Sequence, residues 1–263
     1  MLKSILGTVA ALGLAALVTI VFLKEPAKTL TVSDARAELH SAEQGEIHVF
    51  LSIQNGAIPD KLIGASSDVA REAILVTKPQ GTAVPIPANS MPVLSADGVY
   101  VALSGVQETL EEGRFIPISL EFETAGSVSS RAIISAPLDP HAAHRAMMVS
   151  GTMGIPLFED GQDFPTAHLN AEQAADRSWN LTLDVTNFIF DADTEEPVHL
   201  PGHGHAHLYI NGMKIQRMYG TSATIGQLPP GTYIVRVSLN TNDHRPYTNA
   251  VGPVEASVSI VVE

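Results

Sequence analysis

From Thr29 to the C-terminus the sequence never sustains an apolar period of 3.6 residues. It breaks instead into short alternating runs: "IHVFLSIQN", "VYVALSGV", "IPISLEFE", "WNLTLDVTNFIF", "HAHLYING", "TYIVRVSLN" and "ASVSIVVE". Gly, Pro, Asn and Asp separate them. Alternation sends successive side chains to opposite faces of a strand, and the β-branched content suits a pleated surface. The expected fold class is therefore all-β, built from sandwiches. Hydrophobic residues make up 45% of the chain and aromatics only 5%, so aliphatic side chains must fill the core.

The 263 residues suffice for two ordinary domains. In "SAPLDPHAAHRAMM" (135–148) two prolines interrupt the strand pattern. This places one β-domain at 29–138, a linker at 139–145 and a second β-sandwich domain at 146–263. The second contains an irregular insert, 158–178, in which "NAEQAADR" reads as one short helical turn. Ahead of both, Ser4 to Leu23 is uncharged and apolar. At 1.5 Å per residue such a run crosses a hydrocarbon layer of about 30 Å. It is expected to be a single transmembrane helix, with residues 1–28 as anchor and flank. A cleaved signal peptide is the alternative. Lys3 lies on one side of the run, Lys24 and Lys28 on the other, so charge leaves the orientation open.

The formal net charge is −13, with no basic patch, which argues against a nucleic-acid partner. The absence of cysteine excludes disulfides, iron–sulfur clusters, thiolate zinc sites, blue-copper centres and cysteine nucleophiles. Any soft metal must then be held by His and Met. No Gly-rich phosphate loop, G-x-S-x-G or H-E-x-x-H is present. A three-histidine zinc site can generate hydroxide, but Glu195 and Glu196 read as a solvated turn rather than a positioned base. A non-enzyme is expected.

"GEIHVFLSIQNGAIPDKLIGASSDVA", followed by "IPANSMPVLSADGVYVALSGVQETLEEGRFIPISLEFETAG", resembles the PCu(A)C family of periplasmic copper chaperones over residues 30–137. The resemblance implies a small cupredoxin-like β-barrel or sandwich carrying Cu(I) on His and Met. The ligands themselves are missing. The family's first His and Met fall near Leu75 and Thr77, and its His-x-Met falls on Tyr100 and Ala102. Met91 is the only methionine of this stretch. The first domain is thus expected to be a scaffold with the family's shape and without its usual site. His40 and His48 read as surface or cross-strand histidines.

"EPVHLPGHGHAHLYINGMK" concentrates imidazoles in the second half. On a strand, His203, His205 and His207 share one face, with Leu208 and Ile210 on the other. A straight strand spreads the three too far for one ion, so two of them plus outside help are expected, with Gly202 and Gly204 able to bend the chain. Help is offered by His244 in "NTNDHRPY" and by Met213 and Met218, since a hairpin through "ING" returns Met218 beside the histidine strand. The candidate metal ligands are His203, His205, His207, His244 and Met218. A His/Met mixture suits Cu(I); an all-imidazole set suits Cu(II) or Zn(II). The competing readings are a polar hydrogen-bonded network and a pH-sensitive contact surface. "HAAHRAMM" (141–148) offers a secondary set in His141, His144, Met147 and Met148, and equally reads as a linker. "GHAHLYINGMKIQRMYG", followed by "LPPGTYIVRVSLNTNDH", also resembles an exported bacterial β-domain, which implies an extracytoplasmic location.

Together these readings predict a membrane-anchored periplasmic copper-binding protein or metallochaperone, with copper as Cu(I) or Cu(II) and zinc as the alternative. Its partner would be a copper-receiving membrane protein or complex, and the PCu(A)C resemblance implies a role in assembly of a respiratory copper enzyme. The alternative is a non-catalytic structural or accessory subunit of a membrane complex.

Overall fold

The computed structural model describes residues 30–41, 46–78, 80–81, 84–106, 111–135, 163–191, 200–242, 244–249 and 251–263. The apolar run 4–23, the "HAAHRAMM" set and His199 lie outside these residues. Every regular element among the described residues is a strand. The all-β expectation holds.

The first half supplies β1 (Leu30–Ser41), β2 (Glu46–Asn55), β3 (Asp60–Ser66), β4 (Glu72–Val76), β5 (Val84–Ile86), β6 (Val93–Leu94), β7 (Tyr100–Ser104), β8 (Phe115–Phe122) and β9 (Gly126–Ile134). The second supplies β10 (Thr166–Gln173), β11 (Trp179–Thr186), β12 (Ile189–Phe190), β13 (His203–Ile210), β14 (Met213–Met218), β15 (Ser222–Ile225), β16 (Gly231–Asn240) and β17 (Glu255–Val262). The alternation in β2 is clear: Ile47, Val49, Leu51 and Ile53 are buried in the core, while His48 and Ser52 take the other face. The expected helical turn in "NAEQAADR" does not form. Asn170 to Gln173 continue β10, paired residue by residue with β11, and a turn follows at 175–177. Ladder hydrogen bonds to β11 and burial of Leu169 decide this, since that segment has no apolar helical face to bury.

Strand pairing is continuous from one half to the other, in the order β17-β16-β13-β14-β6-β2-β1-β9-β8-β3-β5. The join is Lys214 on β14 paired with Val93 on β6. Two further contacts cross the same seam. Ala88 N–H donates to the carbonyl of Gln227 at 2.9 Å. The Ser95–Val99 turn also sits on the β13–β14 hairpin turn so closely that a Cβ on Gly98 would lie 2.7 Å from the Gly212 carbonyl oxygen. A second sheet, β10-β11-β15, lies apart from this ladder, with β10 packing across β16 and β17.

Candidate metal site

The β13–β14 hairpin turns through Asn211 and Gly212, both with positive φ (48° and 82°), as a two-residue primed turn requires. Strand β13 is flanked on both sides, by β14 and β16. Both its faces are buried, so the histidine face is interior rather than solvated. His205 and His207 are each only 3% exposed.

Three of the five candidate ligands come together. His205, His207 and His244 offer ring nitrogens that all lie within 4.8 Å of one another. Nε2 of His205 is 3.0 Å from Nε2 of His207. The His244 ring stands edge-on to His205, with centroids 4.8 Å apart. His244 comes from the loop after β16, where its φ is +66° and its N–H donates to the carbonyl of Thr241. Gly204 brings that loop in. Its backbone runs so close to Asn240 that an added Cβ would lie 1.9 Å from the Asn240 carbonyl oxygen. The glycine between the first two histidines of "HGHAH" therefore serves a close approach and not a bend in the strand.

The other two candidates go elsewhere. His203 shares the strand face but engages Asp191, Nδ1 to Oδ1, at 3.1 Å. Met218 is 3% exposed and belongs to the hydrophobic core. The reason is a register shift. Ile210 pairs with Met213 and Tyr209 with Lys214, but after a bulge Leu208 pairs with Gln216 and Ala206 with Met218. Without that extra residue Met218 would oppose His205. A one-residue slip moves a side chain to the other face of the sheet, and here it carries the thioether into the core. Met213 is likewise fully buried.

Behind the imidazoles lies a group that sequence reasoning missed. Tyr209 donates its hydroxyl to Oδ2 of Asp97 at 2.8 Å, and the same hydroxyl lies 3.2 Å from Nδ1 of His207. Because the phenol proton goes to Asp97, its oxygen is left to accept Nδ1–H of His207. That fixes the tautomer and leaves the His207 Nε2 lone pair directed at His205. Lys214 forms an ion pair with Asp97. Arg236 lies over the Tyr209 ring, 4.1 Å from its centroid. Burial opposes ionisation of Asp97, but the hydrogen bond with His207 and the charge of Lys214 outweigh it and hold the carboxyl well below the usual range.

Burial, reinforced by the neighbouring His207 and His244, pushes His205 down to about 3. Burial pushes His207 down to about 4, against the opposing pull of Asp97. Both rings are neutral at pH 7, and the proton of the Nε2–Nε2 hydrogen bond sits on His205, so an ion enters only as that proton moves to His205 Nδ1 or leaves. Around an ion with bonds of 2.0–2.1 Å, tetrahedral nitrogens stand about 3.3 Å apart. The 3.0 Å pair needs only a slight opening to admit one.

In the first half, Leu75 and Tyr100 lie on the paired strands β4 and β7, where Ile74 opposes Ala102 and Val76 opposes Tyr100. Thr77 is buried just beyond β4, and Met91 is 59% exposed. No metal-ligating side chain occupies the four positions Leu75, Thr77, Tyr100 and Ala102.

Residues 30–134 match the family model described as "Putative lipoprotein LpqE-like". This is the stretch that carried the sequence resemblance; the matched model ends before the histidine-rich half. Among solved structures, the chain is similar to the "Apo PCuAC domain from PmoF1", with 27% identity and a TM-score of 0.39 over 43% of this chain and 98% of that one. It is also similar to the "Copper-bound PCuAC domain from PmoF2", at 22% identity and a TM-score of 0.39 over 44% and 100% of the two chains. A third likeness is to the CuI-DR1885 protein of Deinococcus radiodurans, at 22% identity and a TM-score of 0.35 over 44% and 84%. No curated protein matches the sequence at significant similarity.

Proposed function

We propose that this protein is a copper-binding metallochaperone whose cargo site is the His205–His207–His244 pocket. The observation that carries the reading is the convergence of three imidazoles within 4.8 Å, one of them oriented by Asp97 through Tyr209. A ligating histidine is commonly held by such a hydrogen bond at its other ring nitrogen, which fixes the tautomer and the ring's orientation. With Met218 withdrawn into the core, the donor set is all imidazole. Such a set suits Cu(II) or Zn(II), and the order of divalent affinities favours Cu(II) over Zn(II). Transfer would proceed by ligand exchange. His244 is the more exposed of the three, so a receiving protein's ligand displaces it first while His205 and His207 hold the ion.

The location we propose is the periplasmic face of the cytoplasmic membrane, with residues 4–23 as the anchor and a membrane-bound copper enzyme under assembly as the recipient. The matched family's description mentions a lipoprotein. This chain has no cysteine thiol to carry an acyl chain, so anchoring would rest on the apolar segment.

The test is copper titration of the full-length protein in detergent, against a competing chelator. His205→Ala with His207→Ala should remove one copper equivalent and its three-nitrogen spectroscopic signature. If Cu(I), Cu(II) and Zn(II) all leave the melting temperature unchanged, and the protein instead co-purifies within a membrane assembly, it is an accessory subunit and not a chaperone.

A further inference from the structure

A second set of imidazoles lies on the first half, apart from the cargo pocket and beside two of the four ligand-poor positions: His48 pairs with Ala102 and packs against Tyr100. His40, Glu46 and His48 present two ring nitrogens and a carboxylate oxygen within 4.8 Å of one another. A β-bulge makes this possible. Leu39 pairs with Ile47 and Ser41 with Glu46, so His40 is the extra residue, with no ladder partner opposite. Its ring lies over His48, with centroids 4.0 Å apart and planes at 15°. Oε1 of Glu46 is 2.9 Å from Nε2 of His48. Tyr100 packs against His48 at 4.4 Å between centroids and limits its rotation. The neighbouring carboxylate on this face, Glu38, is directed to Arg36 at 3.1 Å.

We infer that His40, Glu46 and His48 form a second binding site, for a divalent transition cation of the Cu(II) and Zn(II) class. Two imidazoles and one carboxylate are a donor set for such ions, whereas Ca(II) and Mg(II) take oxygens and Cu(I) prefers softer partners. Donors around a tetrahedral ion stand about 3.3 Å apart. The Glu46–His48 pair is already at that scale, and the exposed His40 ring closes the rest by rotation about its side-chain bonds. Burial is the main influence on His48 and lowers its pKa despite its hydrogen bond to Glu46; the Nε2 proton that Glu46 accepts moves to Nδ1 or leaves as the ion enters.

The two histidine clusters share one sheet face. His48, Phe50 and Ser52 lie on the same side of β2, and Ser52 pairs with Val93, Val93 with Lys214, and Lys214 with Tyr209. His207 and His205 follow Tyr209 at alternate positions. Asp97, behind the pocket, and Tyr100, against His48, belong to one short segment whose ends are at most about 11 Å apart.

The experiment is equilibrium dialysis of the full-length protein in detergent against Cu(II), and separately Zn(II), with elemental analysis and electron paramagnetic resonance of the copper form. Two ions per chain are expected. The variant carrying His205→Ala and His207→Ala should keep one, with two coordinated nitrogens. His40→Ala with His48→Ala should lose that ion and retain the three-nitrogen signal. Glu46→Gln, which nearly preserves shape, should weaken the second site roughly tenfold or more and serves if the double alanine variant does not fold. The inference is overturned if the His205/His207 variant, with a wild-type circular dichroism spectrum and melt, binds no ion. It is equally overturned if the substitutions at His40, Glu46 and His48 change neither stoichiometry nor affinity. Survival of the three-nitrogen signal in the His205/His207 variant would instead count against the cargo pocket, so the two failures are distinguishable.

Discussion

Asp97 and Tyr209, 112 positions apart in sequence, meet in a 2.8 Å hydrogen bond across the seam between the two halves. The carboxylate thereby orients an imidazole that belongs to the other half of the chain. It also neutralises Lys214, which burial alone would push toward deprotonation.

Asp97→Asn should weaken copper binding by about 10- to 100-fold without changing the number of ions in the pocket, the range typical when the group that hydrogen-bonds a ligating histidine is lost. Tyr209→Phe should act in the same direction, because it removes the hydroxyl that relays the carboxylate to His207. Chelator competition reads both. Unchanged affinity in both variants would mean that the His207 tautomer is set by something else.

Met218→Leu should leave copper affinity untouched and cost less than about 1.5 kcal/mol of stability, since it is a near-isosteric change inside an apolar cluster. Measurement with Cu(I) is the sharper form, because a thioether ligand would matter most there. A clear drop in Cu(I) affinity would place the thioether at the ion after all.

Gly204→Ala should lower the melting temperature and disturb the pocket together, since its Cβ would collide with the Asn240 carbonyl and push away the loop that carries His244. Gly220→Ala, where a Cβ meets nothing within 4 Å, is the matched control and should be close to neutral. Copper resonance spectra should show one nitrogen fewer in the first variant and no change in the second.

The metal-free protein should lose stability as pH falls. His205 and His207 titrate near 6.5 when unfolded but near 3 and 4 when folded, so the unfolded chain binds more protons between those limits. Stability is therefore complete above about pH 6.5 and declines below it, with a slope of up to about 1.4 kcal/mol per pH unit for each histidine. Denaturant melts between pH 7 and 4.5 would show the decline, and replacing both histidines should flatten it. A flat profile in the parent protein would contradict the buried, neutral pair.

The strand pattern could be read directly because alternation is local: "EIHVFLSIQN" announces its own inward and outward residues. So could the convergence of His205 and His207, which share a strand face by geometry. Met218 could not be placed, because a single bulge at Ile215 on β14 reverses its side and no turn residue marks the extra position. Asp97 was invisible for a different reason. It sits in "LSADGVY", an ordinary turn, and acquires its role only when that turn docks on a hairpin more than a hundred residues later. His40 and His48 read as unremarkable singly, since the bulge that stacks them also leaves no mark in the sequence.

The turn-on-turn contact at Gly98 and Gly212 has a practical corollary for anyone dissecting this protein. A fragment beginning after the proline-rich break would retain all three pocket imidazoles yet lack the carboxylate that aligns them. Its metal affinity would then understate that of the intact chain. What looks like a modular boundary in the primary structure is, at the pocket, shared property.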